Sequence, residues 1–214
     1  MMSQAIQQQM IEEPLFSLND LSVYNLNAIN LSISPGECVA ISGASGSGKS
    51  LLLRALADLI PHKGEAYFQG QACSSFSPTQ WRKQVGLLPA ESFWWAEQVG
   101  EHFAQPCDDE CDKKLNVLGF SSDVYEWAVS RCSTGERQRL ALLRLLCLMP
   151  SVLLLDEPTA SLDQDNILAV ELLIREYLQQ GGSVIWVSHD PQQIKRVADR
   201  HFKIVNDQLL EVSV

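Results

Sequence analysis

Residues 43–50 read Gly43-Ala44-Ser45-Gly46-Ser47-Gly48-Lys49-Ser50. Few octapeptides restrict a fold more. Gly43, Gly46 and Gly48 let the backbone curl through dihedrals that other residues avoid. An apolar run at 38–41 precedes the loop and a leucine-rich helical pattern follows it, which is the strand–loop–helix context of a P-loop. There, successive backbone N–H groups converge on one phosphate, and the helix N-terminus adds partial positive charge. Lys49 is placed to reach the terminal phosphates of a nucleotide, and the Ser50 hydroxyl to meet Mg²⁺. The stretch taken to bind nucleotide runs on to position 51, which is Leu51. A Gly/Ser turn that binds nothing competes with this reading and leaves the flanking strand and helix as coincidence.

Two further apolar runs, at 152–155 and 184–187, are short and uninterrupted like the first. Strands buried on both faces read this way, without alternation. Between the runs lie helical patterns at about 50–60, 136–149 and 166–180. They are stopped by Pro61, by Pro150 and by Gly181-Gly182. The expected class is α/β, a P-loop nucleotide hydrolase fold with a mainly parallel core sheet. Alternation at Phe16 and Leu18, at Leu21 and Val23, and from 29 to 33 indicates a small antiparallel β lobe. The stretch at 91–130 has helical periodicity broken at Pro106 and Gly119, an inserted helical lobe. One domain is expected over 1–214, with the core and antiparallel lobe in about 1–90 and 141–214 and the helical lobe in about 91–140.

The second run ends in Asp156-Glu157-Pro158, and open α/β sheets bind ligands at that edge of their strands. Asp156 suits Mg²⁺ held through its water shell. Glu157 suits a general base that draws a proton from water. The third run ends in Ser188, His189 and Asp190, and a neutral imidazole there contacts both a terminal phosphate and the water. An acidic turn and a structural histidine are the bland alternatives, and three strand ends converging weigh against them.

Net charge is −10 with an isoelectric point near 4.8. Such a chain is not drawn to nucleic acid by general attraction, so no nucleic-acid partner is expected. No apolar run approaches the ~20 residues that span a bilayer, and the N-terminus lacks a signal-peptide pattern. A cytosolic chain with reduced cysteines is expected. Residues 1–9 are polar and expected to fray. His102, Cys107 and Cys111 could suggest a metal, but no second Cys pair supports it, and ordinary thiols on a helical lobe are expected.

Together these motifs, in this order, resemble the ABC ATPase family over nearly the whole chain. Ser161-Leu162-Asp163 is similar to its D-loop, His189 to its switch histidine, and Tyr24 to the aromatic residue that stacks on adenine. A strand tyrosine remains the alternative for Tyr24. Ser133, Gly135, Gln138 and Arg139 fit the family signature, while Cys132 and Thr134 depart from it. Ala90 stands where the family carries the Q-loop glutamine, with Glu91 next to it. Phe93, Trp94 and Trp95 then fall where the family receives a helix of its membrane subunit; the alternative is that the lobe's own core takes two of them. The compact layout is similar to that of small single-cassette subunits, the iron-exporter type among them.

The resemblance implies an ATP-hydrolysing motor subunit that uses ATP and Mg²⁺. It implies a nucleotide sandwich with a second copy or a related cassette. It also implies a separate transmembrane permease and a place on the cytoplasmic face of the inner (plasma) membrane. The alternatives are a soluble ABC ATPase outside transport, and an ATP-binding clamp paired with an active cassette. A small-molecule P-loop kinase would leave the signature stretch unexplained.

Overall fold

The computed structural model describes residues 13–103 and 109–214. Residues 1–9, Pro106 and Cys107, named above, lie outside the described residues. In chain order the elements are β1 (Phe16–Val23), β2 (Leu26–Ile33), β3 (Cys38–Gly43), α1 (Lys49–Leu56), β4 (Lys63–Phe68), β5 (Gln71–Ala72), α2 (Pro78–Gln84) and β6 (Val85–Leu88). They continue with α3 (Asp109–Val117), α4 (Thr134–Leu146), β7 (Val152–Asp156), α5 (Gln164–Gln179), β8 (Ser183–Val187), α6 (Pro191–Val197), β9 (Arg200–Val205) and β10 (Gln208–Val212).

The three apolar runs become β3, β7 and β8, neighbours in a sheet of order β10-β9-β3-β8-β7-β6. Every pairing in it is parallel except β9 with β10. The runs are unbroken because side chains alternate between two buried faces. Val39, Ile41, Leu154, Ile185 and Val187 join a core under α1 and the antiparallel lobe. Leu153, Leu155, Val184 and Trp186 join a second core under α4, α5 and the helical segment. Truncating one such leucine to alanine costs about 2–5 kcal/mol.

The antiparallel sheet has order β2-β1-β4-β5. Its last two strands come from residues 63–72, where Lys63, Gly64 and Glu65 hide any alternation. Only Ala66 and Phe68 of β4 turn inward. Between 91 and 130 the segment expected to be a helical lobe holds a single α-helix, α3, among the described residues, and α4 starts within its last part at Thr134. Beside α3 are 3₁₀ turns at Val99–His102, Ser122–Glu126 and Val129–Arg131.

Helix α1 stops four residues before its expected end. Asp58 adopts φ 54, and the N–H groups of Asp58 and Leu59 donate to Ala55 O and Arg54 O at 3.0 and 2.9 Å. This is the reverse-turn stop usually built on glycine; α5 makes it with Gly181 at φ 90. Trp81 of α2, fully buried, donates from Nε1 to Leu56 O at 2.8 Å and seals the end of α1.

The expectation that all cysteines are reduced is corrected. Cys111 of α3 and Cys147, just past α4, form a disulfide with Cα atoms 5.7 Å apart. They are 36 residues apart in sequence, so only the packing of α3 on α4 brings them together. Cys38, Cys73 and Cys132 keep free, buried thiols. Burial pushes the Cys73 thiol up to about 12, where it is unreactive at neutral pH.

Candidate functional site

Register fixes the site. Ile41 of β3 and Asp156 of β7 both pair with Val187 of β8. The chain therefore leaves the three strands side by side, as Gly43, as Glu157 and as Ser188-His189. The P-loop turns back at once, with Gly46 at φ 77 and Gly48 at φ 96. A side chain on Gly48 would press on Leu26 at 3.2 Å, because the start of β2 leans on the loop. Tyr24, two residues earlier, is 76% exposed at the β1–β2 turn.

Lys49 opens α1, and its ammonium folds back to donate to Gly43 O and Ala44 O, both at 3.0 Å. Burial pulls its pKa below the ordinary lysine value, while Glu157 and then Asp156 pull it back up. Ser50 and Asp156 line one cleft of about 960 Å³, together with Ala90 and Glu91. Ala44, Ser45 and Gly46 are exposed around the loop. Leu51 is half-buried in α1.

Glu157 sits at φ 50, a left-handed backbone that costs about 1 kcal/mol for a residue with a Cβ. Its N–H donates to Val187 O at 3.1 Å, locking the carboxylate's root to the neighbouring strand. Burial raises its pKa above the usual carboxylate value. His189 and Lys49 oppose that shift and Asp156 adds to it. His189 Nε2 lies 3.2 Å from Glu157 Oε1. That oxygen nevertheless has no hydrogen-bond partner. The ring is near enough for a charge contact but is not aligned to donate.

These residues fit a nucleotide with Mg²⁺. Ser47 Oγ is buried in the loop without a partner, a donor waiting for an oxygen in a fold that otherwise satisfies buried groups. A side chain on Gly43 would strike that same atom at 2.8 Å, so the loop tolerates none there. Ser50 and Asp156 are the hard oxygen ligands that Mg²⁺ prefers.

The signature stretch lies apart, since neither Ser133 nor Thr134 lines the cleft. Ser133 caps α4, accepting from Glu136 N at 3.2 Å while Glu136 accepts from Ser133 N at 2.7 Å. A side chain on Gly135 would meet Ser161 O at 2.9 Å, so this glycine lets the turn at 161–163 approach the start of α4. Thr134 is exposed. Gln138, buried in α4, donates to Pro89 O at 3.2 Å, beside Ala90. Of the three consecutive aromatics, Phe93 and Trp95 are 81% and 71% exposed. Trp94 packs into the second core. Both tryptophans lie edge-on to His102, whose Nε2 accepts from Trp95 N and Ala96 N at 2.9 and 3.0 Å. His102 is thus a buried organiser of the aromatic loop. Arg144 stacks near both rings. No cluster of metal-ligating side chains occurs among the described residues, nor any helix long and apolar enough to cross a membrane.

Sequence reading missed the polar network behind Glu157, made by Thr159, Glu171, Ser188, Gln193 and Arg196. The segment after His189 reads as an ordinary polar helix, and no signal in it marks Gln193 as buried.

A parallel sheet with a glycine-rich phosphate loop at its central strand, and two acidic groups on the next strand but one, defines a P-loop nucleoside triphosphatase. Within that class the sequence profile of the ABC transporter family matches residues 26–160. The chain belongs to this family, as an ATP-binding subunit. It is 34% identical over 179 residues to the "Probable iron export ATP-binding protein FetA" of Escherichia coli, covering 79% of this chain and 80% of that one. It is 31% identical to the "Phosphate import ATP-binding protein PstB" of Saccharolobus solfataricus, covering 93% of this chain and 88% of the relative. Its fold superposes on an ATP-bound Atm1-family ABC exporter with a TM-score of 0.82 at 23% identity, over 94% of this chain and 39% of the other.

Proposed function

We propose that this chain is the ATP-hydrolysing motor of a membrane transporter and works as a head-to-tail pair around two ATP molecules. The observation that carries the reading is the arrival of Lys49, Ser50, Asp156, Glu157 and His189 at one sheet edge, with Glu157 and His189 3.2 Å apart. The backbone N–H groups of residues 43–51 and the Ser47 hydroxyl hold the phosphates, and Tyr24 offers its exposed ring to the adenine. Ser50 and Asp156 would hold Mg²⁺, which would supply neutralising charge at the terminal phosphates. Lys49 adds a fixed cation beside them. Glu157 takes a proton from the water that attacks the terminal phosphoryl group in line, and His189 orients that water. The raised pKa of Glu157 makes it a stronger base than a free carboxylate.

Ser133 and Thr134 at the start of α4 face the nucleotide of the second subunit, a copy of this chain or a related cassette. The exposed Phe93 and Trp95, on a loop stiffened by His102, receive a separate transmembrane permease. The chain then works on the cytoplasmic face of the membrane that holds that permease. The relative named for iron export makes an iron-exporter type the first cargo class to test. Ala90 favours a second reading, an ATP clamp paired with an active cassette, because alanine offers no ligand where the family carries glutamine. Steady-state hydrolysis with Mg²⁺ separates the two. The motor reading expects turnover in the wild type and none in Glu157→Gln. Bound ATP without turnover in the wild type would establish the clamp.

A further inference from the structure

Behind the Glu157–His189 pair lies a polar cluster that touches neither group's reactive atoms. Gln193, on α6, is 2% exposed. Its Oε1 accepts from Ser188 Oγ at 3.0 Å and from Thr159 Oγ1 at 3.1 Å. Its Nε2 lies 2.9 Å from Thr159 Oγ1 and donates to Glu171 Oε1 at 3.1 Å. Glu171 is itself buried and gripped by Arg196, with Nη2 at 2.7 Å from Oε1 and Nε at 3.0 Å from Oε2. An ionised carboxylate only accepts, so Glu171 decides which end of the carboxamide faces it. The amide cannot flip without leaving two acceptors opposed.

The placement of the two hydroxyls gives the cluster its meaning. Thr159 lies two residues after Glu157, in the turn closed by Ala160 N donating to Glu157 O at 3.3 Å. Ser188 directly precedes His189, and its Oγ also accepts from Asp190 N at 3.1 Å. Glu157 N to Val187 O joins the two segments from the strand side; Gln193 joins them from the far side.

We propose that Gln193 is a positioning residue for hydrolysis: its buried carboxamide clamps the turn carrying Glu157 to the strand end carrying His189 and fixes their separation. The inference rests on the motor reading above. A displacement of about 1 Å at such a pair is enough to cost a large factor in rate.

The test is Gln193→Met, which keeps size and removes every polar contact. Its kcat is expected to fall by about tenfold or more, with KM for ATP nearly unchanged. A fall in kcat at unchanged KM for ATP, in a variant whose melting temperature stays above the assay temperature, separates misplacement of the pair from loss of fold. Thr159→Val and Ser188→Ala each remove one arm, for use if Gln193→Met does not fold. Both should lower kcat in the same sense, and their combination should lose less than the product of the two. Native kcat in these folded variants overturns the clamp. A parallel fall in ATP affinity and kcat overturns it too, in favour of a merely structural role. Failure of the motor reading is told apart by the controls: there, wild type does not turn over, or Glu157→Gln still does.

Discussion

The imidazole of His189 and the carboxylate of Glu157 stand 3.2 Å apart without a hydrogen bond between them. Glu157 follows β7 and His189 follows β8, and Glu157 N donates to Val187 O at 3.1 Å, which ties the two strand ends together. Glu157 Oε1 is buried and accepts no hydrogen bond, so its accepting capacity is unspent, as a general base requires.

Replacing Glu157 with glutamine should abolish steady-state ATP hydrolysis, a loss of about 10²–10⁴-fold, while ATP is still bound. Size-exclusion chromatography with saturating ATP should then show a trapped dimer. A monomer persisting there would count against the sandwich.

The pH dependence follows from the same carboxylate. Burial raises its pKa in the fold, and catalysis needs the ionised form, so kcat should fall as pH drops through that raised value. Stability runs the other way. A raised pKa favours the fold below the unfolded value of the carboxyl, and that contribution is lost as pH rises through the folded value. Glu157→Gln removes this penalty, so thermal unfolding at neutral pH should show a melting temperature at or above that of wild type.

Ala90→Gln tests the missing polar group at the cleft rim. Ala90 and Glu91 line the same cleft as Ser50 and Asp156. A several-fold gain in kcat would mean that a positioned amide limits the native rate. An unchanged rate would assign that task elsewhere, with Glu91→Ala as the companion variant.

Lys49→Ala should weaken ATP binding by about tenfold or more, read by fluorescent-nucleotide titration, since it removes the fixed cation of the phosphate cradle.

Cys111 and Cys147 close a loop spanning 36 residues of sequence. Chain-entropy reasoning assigns such a cross-link about 4 kcal/mol as an upper bound. Calorimetry with and without reductant should show a lower melting temperature on reduction, and Cys147→Ser should reproduce it. An unmoved transition would mean that the packing of α3 on α4 holds this region without the bond.

Much of the core was legible because the signal was local. β3, β7 and β8 announce themselves as unbroken apolar runs, since both faces of the sheet are buried and no polar residue interrupts them. The glycine-rich loop at 43–50 was legible because Gly43, Gly46 and Gly48 take positive φ values that other residues avoid. The helix stop at Asp58 was not legible, because an aspartate does there what the sequence rule assigns to glycine. The strands at 63–72 were hidden by Lys63, Gly64 and Glu65, which belong to an edge rather than to a core.

The sequence by itself determined the class of fold, the phosphate loop and the residue types at three strand ends, because each depends on a few consecutive side chains. The tertiary structure decided which of those ends meet. It joined Cys111 to Cys147, turned Phe93 and Trp95 outward while Trp94 went in, and buried Gln193 between Thr159, Ser188 and Glu171. These outcomes depend on packing between segments far apart in the chain, and no local pattern of residues encodes the distance between them.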